Sequence, residues 1–359
     1  MKRKKRVVLG MSGGVDSSVA AALLKKRGYD VIGITMQLLP KESEKRSACC
    51  NIDSISDAKR VANKLNIPHY TINIREAFKE NVIDLFVKDY MMGLTPNPCV
   101  ECNRTIKFDE LKKVGKDLKA DFVATGHYCK ITKHPHKSKF YLKKAKDLRK
   151  DQSYFLYMLS EEQLKETLFP LGGFTKPEIR EMAHKFKLIN ADKSESQEIC
   201  FVTKGKYHEF IEQQVEKKQL KHGPILNHEG ELMGEHKGIH HYTIGQKKGL
   251  FLKVPHPMYV YKIDAQNNTI HVGLKEHLVS SVFTLINCAW VRKDENLEGK
   301  TFDIKCRYQM VPFKAKVLSH HNNEVKLEAL SPQECITPGQ SGVLYKNDFV
   351  IGGGSIKTS

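Results

Sequence analysis

Residues 6–24 read RVVLGMSGGVDSSVAAALL. An apolar run, Arg6 to Leu9, ends in a turn with two adjacent glycines. From Val15 to Arg27, the residues Val15, Val19, Ala22 and Leu23 recur at the spacing of one helix face. A strand that passes through a glycine-rich turn into a helix makes an anion site, because the N–H groups of the turn and the positive end of the helix converge. Gly13 and Gly14 allow a backbone approach that a side chain would block. Ser12, Ser17 and Ser18 add hydroxyl donors, while Asp16 repels phosphate and is expected on Mg²⁺ or on amides of the turn. The stretch lacks Gly-Lys-Ser/Thr, so it does not grip β- and γ-phosphates in the Walker manner. It also lacks Gly-x-Gly-x-x-Gly, which weakens a dinucleotide reading.

The same alternation continues. Strand-like runs at Val31–Met36, His69–Ile74 and Asp121–Thr125 are interleaved with helix-like stretches. These fall at Asp53–Leu65, capped by Asp53 or Ser54, and at Glu76–Tyr90, Arg104–Leu118, Gln152–Leu159 and Lys176–Phe186. This order predicts an α/β domain with a parallel sheet. Gly93, Pro96 and Pro98 break the chain between Met91 and Pro98. Past Val202, one more helix over Lys206–Lys217 precedes glycine-punctuated pieces. Short alternating runs then dominate: Met258–Ile263, Thr269–Val272, Phe302–Tyr308, Lys314–Leu318, Val325–Leu330 and Ser341–Lys346. Their spacing predicts a small β-barrel or sandwich. The expected division is an α/β domain over 1–203, a small central domain over 204–275 and a C-terminal β-barrel over 276–359.

No run of 18 apolar residues occurs, so no transmembrane helix is expected, and the basic start Met1 to Arg6 is too short for a signal peptide. A cytoplasmic chain follows, with its nine cysteines as thiols, metal ligands or catalytic groups rather than a disulfide framework. A net charge of +18 and a pI near 9.3 point to a polyanionic partner, nucleic acid or an acidic membrane. Lys133 to Lys150 carries eight Lys/Arg against Asp147, with Phe140 and Tyr141 interleaved. It reads equally as a phosphate-backbone contact or as a solvated hairpin.

Ser-Gly-Gly-Val-Asp-Ser-Ser resembles the PP-loop of the ATP pyrophosphatases, whose fold is that of the adenine nucleotide α hydrolases. Those enzymes cleave ATP between the α- and β-phosphates and activate a carbonyl oxygen by adenylation. Further stretches match one branch in order: TPNPCVECNRTIKF (Thr95–Phe108), ATGHY (Ala124–Tyr128), KDQSYFL (Lys150–Leu156), SQEICFV (Ser196–Val202), HYTIGQKKGL (His241–Leu250) and TPGQS (Thr337–Ser341). Together they resemble the bacterial tRNA-specific 2-thiouridylases (MnmA/TrmU family), from about Arg6 to the C-terminus. The resemblance implies that ATP adenylates the C2 oxygen of a wobble uridine in tRNA, a sulfur nucleophile attacks C2, and AMP leaves. A base stacked in an anticodon loop must be pulled out for this chemistry. Another PP-loop synthetase, such as an amidating enzyme, would leave the cysteines and the charge unexplained. A non-catalytic tRNA-binding protein would not need the ATP turn.

Cys102 sits between the broken loop and the helix expected from Arg104, a position that lowers a thiol's pKa. Cys200, in a short apolar segment, reads from the residues alone as a buried structural cysteine. The resemblance instead makes Cys200 the persulfide carrier and Cys102 the nucleophile that releases its sulfur, leaving a Cys102–Cys200 disulfide for a reductant to reset. One common form of the family has aspartate where this chain has Cys99. The resulting Cys99-x-x-Cys102, with Cys200, leaves open a [4Fe–4S] cluster with one free iron. Cys49-Cys50, Cys129, Cys288, Cys306 and Cys335 read as structural.

By the same resemblance, ATP is held by Gly10, Met11, Ser12, Gly13, Gly14, Val15, Asp16 and Ser17, with Met36 and Gly126 lining the adenine pocket. Asn97, Pro98, Cys99 and His127 fall to the target base. Lys150, Asp151, Gln152, Arg307, Tyr308 and Gln340 fall to tRNA. His127 reads equally as a general acid/base or as a satisfied structural histidine. The implied partners are tRNA and a sulfur donor, a cysteine desulfurase or a sulfur relay protein; a monomer is expected.

Overall fold

The structure, a computed structural model, describes residues 3–39, 52–133, 139–194, 199–202, 205–291, 296–321, 323–334 and 336–358. Cys49, Cys50, Cys335 and part of the Lys133–Lys150 segment lie outside them. The chain divides into two compact units. One takes the described residues within Met1–Val82, Cys99–Lys204 and Asp348–Val350; the other takes Ile83–Pro98, Gly205–Asn347 and Ile351–Ser359.

The first unit is built on a parallel sheet of β1 (Arg6–Gly10), β2 (Asp30–Gln37), β3 (His69–Asn73), β4 (Phe122–Ala124) and β7 (Thr167–Leu168), in the order β3-β2-β1-β4-β7. Val7, Val8 and Leu9 are all fully buried. A run of consecutive apolar residues, without polar alternation, is what a strand covered on both faces requires. The helix after β1, α1 (Val15–Lys26), is itself core: Val19, Ala20, Ala21 and Leu24 have no exposed surface. Its alanines let neighbouring elements approach closely, the helix Lys176–Lys185 among them. That helix opens with a capping box between Thr175 and Glu178. The basic segment proves to be an antiparallel hairpin, β5 (Lys130–Lys133) with β6 (Phe140–Lys143), anchored by buried Leu142. The start of the last strand, at Phe349, pairs with Lys143 within this unit.

The second unit holds two sheets. The smaller has the order β10-β11-β8-β9, from β8 (Gly223–Leu226), β9 (Leu232–His236), β10 (Tyr259–Asp264) and β11 (Thr269–Gly273). Val260, Ile270, Val272 and Ile225 form its core. The larger is β12 (Val279–Trp290), β13 (Thr301–Lys305), β14 (Phe313–His321), β15 (Glu324–Glu334), β16 (Ser341–Lys346) and β17 (Phe349–Ile356). Pairing of β12 with both β15 and β17 closes it into a six-stranded barrel. Closure removes the exposed edges, so the barrel is the one of the two expected forms that leaves no free strand. The alternation BeBeBe along β14 and eBeBeB along β15 is its inside–outside signature.

Three expectations for local structure are corrected. The helix expected from Arg104 begins at Pro98 and runs through a π-helical segment, Cys102–Phe108, to Asp117. Asn97-Pro98 carries the signal for the earlier start, since proline suits the first helical position. The stretch Gln152–Leu159 forms only a 3₁₀ turn, Ser153–Leu156, and the helix expected over Lys206–Lys217 is confined to Tyr207–Glu212.

Candidate functional site

In a sheet of order β3-β2-β1-β4, the chain reverses direction of growth between β1 and β4, and the crevice beyond their carboxyl ends is where such sheets bind ligands. Two glycine turns flank that crevice. After β1, Met11 is fixed at both ends: its N–H donates to the Ile34 carbonyl at 2.8 Å, and its carbonyl accepts from the Thr35 hydroxyl at 2.7 Å. Gly13 then takes φ +72°, and a Cβ there would lie 2.1 Å from the Ser54 carbonyl oxygen. Only glycine fits on both counts. After β4, a Cβ on Gly126 would lie 2.9 Å from the Ser17 backbone nitrogen. The second turn therefore rests directly against the first turn of α1. Gly10, Val15 and Met36 complete this end of the sheet: Gly10 ends β1, Val15 is buried at the start of α1, and Met36 is the penultimate residue of β2.

The serines divide. Ser12 is exposed, whereas Ser17 and Ser18 are buried and donate to the Gly14 carbonyl at 3.1 and 2.9 Å. Ser17 Oγ also accepts from the Ser12 N–H, and Ser18 Oγ from the Asn190 amide at 2.9 Å. The hydroxyls of Ser17 and Ser18 thus brace the turn from within. Asp16 is likewise engaged elsewhere than on turn amides. Lys176 Nζ contacts both its oxygens at 2.8 and 2.9 Å, and the Tyr128 hydroxyl donates to one at 2.7 Å. With the Lys176 side chain 9% and Asp16 30% exposed, this pair is partly desolvated. Removing Lys176 would leave a half-buried carboxylate short of its charge partner. Lys176→Met is expected to lower unfolding free energy by about 1–3 kcal/mol, less than for a fully buried pair; an unchanged denaturant midpoint would contradict this.

Tyr128 links this pair to the next segment. Its backbone N–H donates to Gln152 Oε1 at 2.9 Å, and its carbonyl accepts from the Gln152 N–H at 2.8 Å. Asp151 is buried, accepting from the Ala145 N–H at 2.9 Å and the Ser153 hydroxyl at 2.6 Å. The Asp151 carboxylate thus organises the loop from within, and Lys150 is the one of the three that carries a positive charge. Lys176, Tyr128, Asn190 and Lys193 also hold the turn, and the sequence does not single them out. Lys193 lies 2.8 Å from Asp57 and 3.4 Å from the Gly13 carbonyl. None carries a local spacing signal, since each reaches the turn from more than 100 residues away.

His127, in the turn after β4, is buried, stacks on Phe108 with centroids 6.1 Å apart, and has Nδ1 2.7 Å from the Thr125 hydroxyl. Burial, and secondarily the nearby Lys107 charge, hold its pKa well below its ordinary 6.5. It is therefore held in the neutral imidazole form at pH 7. The unfolded chain takes up this proton as pH falls below 6.5 and the native chain does not. The stabilisation is therefore whole above pH 6.5 and is lost as pH drops toward the native value. Stability is expected to fall by up to about 1.4 kcal/mol per pH unit from this group below pH 6.5. His127→Asn should flatten that slope in urea melts at pH 7 and 5; an identical slope would exclude His127 as its source.

Phe108 closes the π-helical segment that Cys102 opens. Such segments concentrate at functional sites. Cys102 is buried, five residues into the helical run, and it is exposed Cys99 that lies in the first turn. The two lie at i and i+3, on one helix face. Beside them Asn103 is buried, its amide nitrogen on the Phe155 carbonyl at 3.2 Å and its amide oxygen without a hydrogen-bond partner. Cys200 is half-buried, next to Phe201, whose ring packs edge-on to Phe78 at 5.7 Å. Cys129, Cys288 and Cys306 are core. Burial pushes the Cys288 and Cys306 thiols up to about 12 and raises Cys129 well above 9. Cys129 sits in the loop before β5 rather than on a strand.

In the second unit, Gln340 Nε2 donates to the carbonyls of Thr95 and Pro96 at 2.8 and 3.2 Å, and the Thr95 N–H donates to the Pro338 carbonyl at 2.9 Å. The TPGQS turn therefore holds the loop that carries Asn97 and Pro98. The Gln340 amide nitrogen is thereby tied to that loop. Arg307 donates to Thr337 Oγ1 at 2.5 Å and to the Ile244 carbonyl at 3.3 Å, and Lys305 lies 5.5 Å above the Tyr308 ring.

Three family models match consecutive parts of the chain: a tRNA methyl transferase HUP domain over 5–204, a tRNA methyl transferase PRC-barrel domain over 208–274, and an aminomethyltransferase β-barrel domain over 280–356. Full-length relatives are similar throughout. The tRNA-specific 2-thiouridylase MnmA of Clostridium perfringens is 45% identical over 359 residues, covering 99% of each chain. Those of Acetivibrio thermocellus and Halothermothrix orenii are 42% and 44% identical, covering 98–99% of this chain and 99% of theirs. An α/β domain on a PP-loop, a small central sheet, a closed C-terminal barrel and similarity along the whole chain place this protein in the tRNA-specific 2-thiouridylase family.

Proposed function

We propose that the chain is an ATP-dependent tRNA-uridine 2-sulfurtransferase acting on the wobble uridine. The observation that carries this reading is the pair of glycine turns, after β1 and β4, that face each other at the reversal of the sheet. Glycine at both turns lets backbone segments close in on the start of α1, which gathers N–H groups and the positive helix end at one place suited to phosphate. ATP, with Mg²⁺, transfers AMP to the C2 oxygen and releases pyrophosphate. Cys200 carries a persulfide; the Cys102 thiolate attacks its inner sulfur, freeing hydrosulfide. Hydrosulfide adds at C2 and AMP departs, taking the C–O bond electrons. The Cys102–Cys200 disulfide left behind is reduced by two external thiols, which leave as a disulfide. Adenylation is what makes the uracil oxygen able to leave. The domain division expected at about 204 and 275 suits a substrate as large as tRNA, which the basic excess would grip by its phosphates. A cytoplasmic monomer served by a cysteine desulfurase or relay protein completes the reading.

The Cys99–Cys102 spacing on one helical face favours a second reading. Cys99, Cys102 and Cys200 would hold a [4Fe–4S] cluster, which when bound supplies sulfide at an iron that has no protein ligand. Iron-stripped protein, given ATP, Mg²⁺, tRNA and a persulfide donor, is expected to produce 2-thiouridine. Product that appears only after anaerobic cluster reconstitution would replace the persulfide route with the second reading. ATP turnover without thiolated tRNA in either state would remove both.

A further inference from the structure

In the second unit, three side chains converge from two elements. Glu212 ends the short helix Tyr207–Glu212, and His240 and His241 belong to the 3₁₀ turn Ile239–His241. Glu212 Oε1 lies 2.9 Å from His241 Nε2 and 3.4 Å from His240 Nε2, and the three ligand atoms are all within 4.8 Å of one another. Two nitrogens and an oxygen about 2.0–2.1 Å from a tetrahedral zinc ion would stand roughly 3.3 Å apart; the Glu212–His240 pair already has that spacing, the Glu212–His241 pair must open slightly, and the two imidazoles must turn to the same separation. The cluster is built, not incidental. His240 is 1% exposed, and its ring tucks against Gly238, where a Cβ would lie 2.5 Å from His240 Cε1. The Tyr207 hydroxyl donates to the His241 carbonyl at 3.1 Å. Among the described residues, Glu212 has no ion-pair partner except these two imidazoles.

Neighbouring histidines separate into two kinds. His236 is already committed, with Nε2 on the Asn268 carbonyl at 2.8 Å and Nδ1 accepting from the Gly238 N–H at 3.1 Å. His208 lies one turn before Glu212 on the same helix face, with its ring 4.7 Å from that of His241. We propose that Glu212, His240 and His241 form a zinc site, with His208 or water as the fourth ligand. A neutral imidazole pair and one carboxylate suit zinc among the divalent ions. The ion would staple a six-residue helix, too short to persist by its own hydrogen bonds, to the turn that precedes HYTIGQKKGL.

The test is titration of the chelator-stripped full chain with Co²⁺, which reports its ligands by absorption, followed by displacement with Zn²⁺. One ion per chain is expected, with visible absorption of nitrogen and oxygen ligation, no thiolate charge transfer, and a melting temperature raised by Zn²⁺. Glu212→Gln keeps a hydrogen-bonding group at a partly exposed position, so it should fold and melt like the metal-free parent while losing on the order of 100-fold in affinity. Affinity unchanged in both Glu212→Gln and His241→Gln would overturn the proposal. So would a bound ion showing only thiolate charge transfer, or no stoichiometric binding at all.

Discussion

Cys200→Ser leaves tRNA without 2-thiouridine while ATP binds as it does to the parent chain. A serine oxygen cannot carry the second sulfur of a persulfide or exchange it with a thiolate, so the loss should be on the order of 10³-fold or greater. The substitution should not disturb the fold. Cys200 is half-buried, and its turn is anchored by the neighbouring Phe201 ring against Phe78. Cys102→Ser should be equally inactive, since it removes the attacking thiolate. Mass analysis of nucleosides from treated tRNA, paired with calorimetric ATP titration, separates the two functions. Thiolation retained in Cys200→Ser would remove Cys200 from the sulfur path under either route.

Gly13→Val should abolish ATP binding and destabilise the chain by about 3 kcal/mol or more, combining left-handed backbone strain with overpacking. The added carbon meets the Ser54 carbonyl oxygen at 2.1 Å, a backbone atom that cannot swing away, and φ is +72°. Gly14→Ala is the control. Gly14 has φ −86°, and its added carbon would meet only Ser12 Oγ at 3.4 Å. It should fold with a denaturant midpoint near that of the parent. If both variants melt alike, the close approach of Ser54 is not what selects glycine at position 13.

The two glycines are indistinguishable in the sequence, and the difference between them is a tertiary fact. The same holds for the serines of the turn. Ser12, Ser17 and Ser18 look alike as donors, but Ser17 and Ser18 face inward because helix periodicity puts them beneath Gly14 and, for Ser18, beside Asn190. Asp151 reads as one more polar residue of a tRNA-facing motif, yet it is buried, because residues 145–153 fold back on its carboxylate. Asn97-Pro98 looks like a loop in the sequence and is the start of the helix in the structure, which puts Cys102 inside the helical run.

By itself, the sequence determined the architecture and the anion turn. Strand–helix alternation, a wholly apolar β1 and adjacent glycines are local patterns, and local patterns survive reading in one dimension. The whole-chain motifs determined the family by the same route. Tertiary structure alone decided which hydroxyls remain open, that Lys176 and Tyr128 hold Asp16, and that Glu212 meets His240 and His241. These partners lie 28 to 160 residues apart. Their meeting depends on how strands and helices stack, which no spacing along the chain records.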